Sequence, residues 1–181
     1  MKKLFWDTAE LDARAVSEFG LSTEVLMQNA ANALANTVRT RFKKSSKKRC
    51  KILGVVGSGN NGADVLAALR LLSGKFDCFA LLASDKQNEI SKTELTRALK
   101  CGVNLISNLT ESGEFDCIID GIFGTGLSRE LNERTINLIN LLNAKPGYKL
   151  ACDIPSGLDK NGLSQGAVFR ADTTVTMGAL K

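Results

Sequence analysis

Val55-Val56-Gly57-Ser58-Gly59-Asn60-Asn61-Gly62-Ala63-Asp64 decides the reading of this chain. The apolar run 52–56 empties into three glycines and two asparagines. A helical pattern marked by Leu66, Leu69 and Leu72 follows at once. A buried strand, a Gly-rich turn and a helix make the first βα unit of an open α/β sheet. In such sheets ligands settle beyond the carboxyl ends of the strands, at the positive N-terminus of the first helix. Glycine permits tight turns and close approach of backbone to ligand, and asparagine brings both donors and acceptors. This loop is therefore the expected binding site.

Outward from it, the chain repeats the unit. Upstream, Asp7 and Glu10 carry a helix-start spacing, and Gly20 stops that helix. Ser22 caps a longer helix with an apolar stripe of Leu26, Ala30, Leu34 and Val38. Its small residues, Ala30, Ala31, Ala33 and Ala35, would let another element approach, while Asn29 and Asn32 are read as facing water. Downstream, the spacing predicts a helix over 63–73 and a strand over 76–83. Ser91 and Glu94 form a capping box that opens the next helix. Strands follow at 103–106, 115–119, 148–152 and 173–177, with a helix after Asn132. This alternation predicts an α/β fold, a three-layer αβα sandwich built on a mainly parallel, Rossmann-like sheet, with residues 1–181 as a single domain.

Composition narrows the chemistry. With 181 residues, 44% of them hydrophobic, the chain can bury a full core. It has no histidine, which removes imidazole acid–base chemistry and His metal sites. Its five cysteines are odd in number and form no CxxC; Cys78, Cys117 and Cys152 lie in apolar runs, as expected of buried, reduced thiols. No apolar run approaches the roughly 18 residues of a membrane span. Asp7, Glu10 and Asp12 interrupt the brief resemblance of residues 1–6 to a signal peptide, so a cytoplasmic protein is expected. The net charge of +5 is local: Arg39, Arg41, Lys43, Lys44, Lys47, Lys48, Arg49 and Lys51 hold eight of the 24 basic residues. A solvated helix end and linker accounts for this run better than a nucleic-acid surface, since only Phe42 interleaves it.

Three apolar strands, the first, fourth and fifth, end in glycine-marked polar loops at 57–64, 120–130 and 153–157. Parallel strands bring those loops to one edge of the sheet. Asn61, Asp64, Asp120, Asp153 and Ser156 would place oxygen atoms there. Clustered carboxylates need a cation or hydrogen bonds to offset repulsion, and oxygen-only ligation suits a hard cation. Each aspartate alone is as well explained as a helix cap or turn. Gly57-Ser58-Gly59-Asn60-Asn61-Gly62 also matches the G-x-G-x-x-G dinucleotide fingerprint. Asp77 comes too early, and Asp85 fits only loosely, as the acidic residue that fingerprint requires. A hydride-transfer enzyme is therefore the weaker reading.

The same segments resemble the NAD(P)H-hydrate epimerase family, also known as the YjeF N-terminal domain. Leu26-Met27-Gln28-Asn29-Ala30-Ala31 is similar to the family's L-M-E-N-A-G helix. Residues Gly59 to Asp64 resemble its G-N-N-G-G-D loop, Asp120 to Gly126 its D-x-x-F-G-T-G segment, and Asp153 to Asp159 its D-I-P-S-G-x-D signature. Ala171 to Lys181 resemble its A-D-x-T-V-T-x-G-x-x-K ending. The resemblance implies an isomerase that interconverts the epimers of hydrated NADH and NADPH in cofactor repair. It implies a potassium ion held by Asn61, Asp120 and Ser156. It implies substrate contacts from Asn60, Asn61, Gly62, Ala63, Asp64, Gly124, Thr125, Gly126, Leu127, Ser128, Arg129, Glu130 and Asp153, with Asp153 the catalytic carboxylate. A homodimer and a fused or separate ADP/ATP-dependent dehydratase are implied as partners, and neither nucleic acid nor membrane is. The family domain continues past the lysine, so the chain is expected to be truncated at its C-terminus. The alternative is a non-catalytic nucleotide-binding or scaffold protein on the same fold. Three departures bear on it. Ala63 and Val65 replace loop glycines, and Gln28 replaces an acidic residue. Were position 63 to need positive φ, alanine would be strained there by roughly 1 kcal/mol, and Val65 would narrow the space beside the loop.

Overall fold

Six parallel strands form one sheet in the order β3-β2-β1-β4-β5-β6. In chain order the elements are α1 (Ala9–Phe19), α2 (Thr23–Arg41), β1 (Lys51–Val56), α3 (Asn60–Leu72), β2 (Asp77–Leu82) and α4 (Glu89–Lys100). Then come β3 (Asn104–Ile106), β4 (Cys117–Gly121), α5 (Glu133–Ala144), β5 (Tyr148–Cys152) and β6 (Thr173–Val175). The computed structural model describes residues 9–47, 49–111 and 113–178. Asp7, Lys48 and Lys181, named above, lie outside them.

The central strands are apolar at successive positions because both their faces are covered. Ile52, Val56, Cys78, Ala80, Cys117, Ile119, Leu150 and Cys152 face α2, α3 and α4. Leu53, Val55, Leu81, Ile118 and Ala151 face Ile139 and Leu142 of α5, with Leu109, Phe115 and Phe169 from loops. This parity builds three layers, and each fully buried Leu, Ile or Val stabilises them by about 1.5–3 kcal/mol. Helix α3 lies directly on the sheet: a Cβ at Gly54 would stand 2.7 Å from Val65 and Leu69 side-chain atoms, and one at Gly121 would stand 2.5 Å from Val65. Val65 thus fills a groove left by two strand glycines. It does not narrow the space beside the loop.

Local signals hold with shifts of a few residues. The Ser22 hydroxyl accepts from the Val25 N–H at 3.3 Å, and Asn132 accepts from the Thr135 N–H at 2.9 Å. The Ser91–Glu94 spacing is not a cap. Helix α4 starts earlier, with the Asn88 carboxamide accepting from the Ser91 N–H at 2.8 Å. Ser91 and Glu94 are both fully buried. Glu94 accepts from Arg70 of α3 at 3.1 Å and from Arg97 at 2.6 Å, and Arg70 also donates to Gln28 of α2 at 3.0 Å. Gln28 therefore ties α2 to α3 while adding no second carboxylate beside Glu94.

The basic segment is drawn into the N-terminal edge of the sheet, opposite the glycine loop. Arg39 donates to the Leu71 carbonyl at 2.6 Å, and Arg49 donates to the Ser73 and Phe76 carbonyls and pairs with Asp77. Lys47 pairs with Asp116, and the Arg41 guanidinium lies 5.1 Å from the centre of the Tyr148 ring. All five cysteines are unbridged, and only Cys101 is exposed. Burial raises the Cys78 thiol to about 12, so it stays protonated and inert. No helix among the described residues is long and apolar enough to cross a membrane.

Candidate functional site

The strand order reverses direction between β1 and β4, and the crevice beyond their carboxyl ends is where open α/β sheets take ligands. A cavity of about 510 Å³ opens there, lined by the loops after β1, β4 and β5. The three glycines of the first loop have different duties. A Cβ at Gly57 would stand 1.9 Å from the Ile122 carbonyl oxygen, and one at Gly62 would stand 2.3 Å from the Gly57 carbonyl oxygen. These two let chain pack on chain. Gly59 has open space beside it and lines the cavity. It is also the N-cap of α3, with no side chain capping the helix, so the first N–H groups of α3 are offered to the crevice.

Helix α3 begins at Asn60, so the loop is shorter than its composition suggests. Ala63 sits inside the helix, and Asp153 is the only non-glycine with positive φ among the described residues. Alanine at 63 is unstrained. Helix α4 holds the loop in place: the Asn88 N–H donates to the Ser58 carbonyl at 3.0 Å, its side chain donates to Asn60 Oδ1 at 3.1 Å, and Ser91 Oγ donates to the Gly59 carbonyl at 3.1 Å.

Asn61 is oriented by its surroundings. Its Nδ2 donates to the carbonyls of Phe123 and Cys152, both at 2.9 Å. Oδ1 accepts from the Cys152 thiol at 3.4 Å and faces Gly124. Asp120 is the penultimate residue of β4, not the first of the following loop, and is fully buried. Its Oδ1 accepts from Ser156 Oγ at 2.6 Å and the Ile122 N–H at 3.2 Å, and its Oδ2 accepts from the Ser156 N–H at 2.8 Å. Ser156 Oγ in turn accepts from the Phe123 N–H at 2.9 Å. Asn61, Asp120 and Ser156 therefore meet around Phe123, with the last two beneath the cavity floor. Burial raises the Asp120 carboxyl to about 6, against the opposing pull of the hydrogen bonds from Ser156 and Ile122.

Asp153 stands one residue beyond β5 with φ of 69°. A left-handed backbone at a non-glycine residue stores strain, and such residues cluster at functional sites. The surroundings impose it: the Asp153 N–H donates to the Val175 carbonyl at 2.8 Å, and the Met177 N–H donates to Asp153 Oδ1 at 3.2 Å. A Cβ at Gly124 would stand 3.3 Å from Asn61 Oδ1 and 3.4 Å from Asp153 Oδ2. The two oxygens converge on the open face of that glycine. Asp64, on the first turns of α3, completes the wall. Burial, then the charge of Asp153, then that of Asp12, raise its carboxyl to about 8, so the cavity holds a protonated carboxyl at neutral pH.

Of the residues singled out from sequence, Asn60, Asn61, Asp64, Gly124, Thr125, Gly126, Leu127 and Asp153 line this cavity. Gly62 is buried against Gly57. Ala63 borders a neighbouring cavity. Ser128, Arg129 and Glu130 are exposed and lie outside the lining. Sequence reasoning did not single out Asp12, Phe123 and Met177, which also line the cavity, whereas Ser58 falls inside the glycine loop expected to bind. Phe123 acts through its backbone, which no side-chain motif reports, and Asp12 arrives because α1 packs against α2 and brings it to the cavity that Asp64 also lines. The last aspartate of the 153–159 signature is structural: Asp159 accepts from the N–H groups of Asn161 and Leu163 at 2.8 and 2.9 Å and from the Gln165 side chain at 3.1 Å, closing its own loop.

Comparisons with known proteins bear on the family and the fold. The chain is 35% identical over 175 residues to the bifunctional NAD(P)H-hydrate repair enzyme Nnr of Helicobacter pylori, a match covering 94% of this chain and 36% of that one. It therefore spans about a third of the length of that relative. It is 32% identical over 170 residues to the NAD(P)H-hydrate epimerase of Oenococcus oeni, covering 92% of this chain and 80% of that one. The fold superposes on the crystal structure of the yeast protein ynu0 (YNL200c) with a TM-score of 0.87, over 100% of this chain and 82% of that one, at 22% identity. The family described as YjeF-related protein N-terminus matches residues 23–181, and the chain belongs to that family.

Proposed function

We propose that this chain epimerises hydrated NADH and NADPH, returning the unrepairable epimer to the repairable one. The observation that carries this reading is the convergence of a strained carboxylate, Asp153, and a fixed amide oxygen, Asn61 Oδ1, beside the uncapped N-terminus of α3 in one cavity. The relatives named as NAD(P)H-hydrate epimerases or bifunctional repair enzymes support it.

The ring hydroxyl leaves in the proposed reaction. Asp153, as general acid, gives it a proton while the C–O bond breaks and its electron pair departs with water. The adjacent ring nitrogen supplies an electron pair to the carbon, which becomes planar and cationic. Water then adds from the opposite face and releases its proton to solvent, from which the Asp153 carboxyl is restored, so nothing is consumed. The amides of the α3 N-terminus would hold the substrate diphosphate.

Asn61, Asp120 and Ser156 would hold a potassium ion. Their donor set fits one: it is all oxygen, as hard cations prefer, and carries a single carboxylate, too little charge for a tightly bound divalent ion. Such an ion would supply positive charge beneath the substrate. A dehydratase domain or separate enzyme would then consume one epimer, as the bifunctional names of longer relatives suggest.

The test is interconversion of one purified hydrate epimer, followed by chromatography. Asp153→Asn should lower it by about 10²- to 10⁴-fold while leaving the circular dichroism spectrum unchanged. Full activity in that variant would remove Asp153 from the mechanism, and a wild-type chain that leaves the epimer unconverted would refute the activity.

A further inference from the structure

A second cavity, of about 640 Å³, adjoins the first and shares Asp12, Asn60, Asp64 and Met177 with it. Its floor is the motif at the start of α2, for which the site around Asp153 has no use: Leu26, Met27, Asn29 and Ala30, continued by Ala33. Ala31 and Ala35 of the same helix are fully buried. Ala30 and Ala33, on the neighbouring face, leave room instead, and Asn29 faces this cavity as well as solvent.

We infer that this second cavity is the adenosine subsite of the dinucleotide, with the hydrated nicotinamide end beside Asp153 and the diphosphate crossing the start of α3 between them. The inference rests on the proposed epimerase reading and adds to it a place for the half of the substrate that does not react.

Three features carry it. A dinucleotide is two nucleosides joined by a diphosphate, and the molecule offers two chambers joined at a helix N-terminus that no side chain caps. The chambers differ in character. The first collects Asp153, Asn61 and backbone groups, whereas the second is walled by Val16, Leu26, Met27, Ile90 and alanines. A purine has apolar faces and a polar edge, and Thr23 and Asn29 on the same wall can pair with that edge. Finally, among the described lining residues of either chamber there is no lysine or arginine. The backbone N–H groups at the start of α3 are donors that the described residues offer the diphosphate, and a protonated Asp64 adds no repulsion there.

Titration calorimetry on the whole chain, with AMP and nicotinamide mononucleotide as separate probes, tests the assignment. Ala30→Leu projects a longer side chain into the second cavity. It should weaken AMP at least about tenfold and leave nicotinamide mononucleotide unchanged. In turnover it should raise KM for hydrated NADH with kcat retained, the signature of lost uniform binding. Asn29→Ala, on an exposed position that does not threaten folding, should weaken AMP in the same direction. Failure of AMP to bind the wild-type chain at millimolar concentration, or equal weakening of both probes by either variant, overturns the subsite. Turnover of hydrated NADH with a KM indifferent to Ala30→Leu overturns the subsite and spares the epimerase reading. Binding of AMP that depends on Ala30, in a chain that converts no hydrate, overturns the epimerase reading and spares the subsite.

Discussion

The ends of β4 and β5 lie side by side, and each delivers an aspartate to the crevice, yet the two carboxylates are held in opposite ways. Asp120 lies within its strand, is fully buried, and accepts hydrogen bonds from three donors on the residues around it. Asp153 lies just past its strand, on a left-handed backbone, and turns Oδ2 towards the cavity. One carboxylate organises the floor and the other faces the cavity. The contrast teaches that neighbouring, chemically identical residues acquire different duties from a difference of two positions along paired strands. Inside the strand the backbone is regular and the side chain must be satisfied by protein. Beyond it, the chain can be bent so that the side chain reaches the ligand.

The sharpest way to break the contrast is to exchange the two losses. Asp153→Asn should lower epimerisation by about 10²- to 10⁴-fold, the range for a lost general acid–base group, with the urea midpoint little changed. Asp120→Ala should instead cost about 2–4 kcal/mol in urea unfolding, because it strands the Ser156 and Ile122 N–H groups without their acceptor. If both variants lost stability equally, the division of labour would be wrong.

Titration gives a smaller effect. Asp64 and Asp120 both have folded-state values above those of an unfolded chain, about 8 and about 6. The folded protein therefore binds more protons, and stability is greatest below about pH 4 as far as these two groups decide it. It falls as pH rises, through about 6 for Asp120 and about 8 for Asp64. Between pH 6 and 8 only Asp64 of the two still contributes, by no more than about 1.4 kcal/mol per pH unit. Unfolding curves for Asp64→Asn over that interval should be flatter than those of the wild-type chain. An unchanged slope would show that Asp64 is already ionised in the folded protein.

The smallest effect isolates the backbone. Asp153→Gly and Asp153→Ala both remove the carboxylate, but only glycine accepts φ of 69° without strain. The glycine variant should be more stable than the alanine variant by about 1 kcal/mol. Equal stabilities would mean that the backbone relaxes once the carboxylate has gone.

The strands, their parallel alternation and the three polar loops could be read from sequence because each rests on local rules: apolar runs, glycine punctuation and capping residues. The misreadings share one cause. Ser91 and Glu94 have the spacing of a capping box, but the same spacing occurs inside a helix, where Glu94 is buried and pairs with Arg70 of α3 as well as with Arg97 of its own helix. Position 63 looked strained because glycine is usual there, whereas the helix already begins at Asn60. Val65 looked like an obstruction until its partners, Gly54 and Gly121 on two other strands, came into view.

By itself the sequence determined the layered α/β architecture, the edge of the sheet where the three polar loops gather, and the identities of Asn61, Asp120, Asp153 and Ser156 as polar residues at that edge. Patterns of burial and chain reversal are written in neighbouring residues, so a linear reading reaches them. Only the tertiary structure decided which aspartate is sealed under the floor, which is bent towards the cavity, and how α1 and α2 enclose a second chamber. Those outcomes depend on contacts between residues scores of positions apart, where direction and distance count and no local pattern records them.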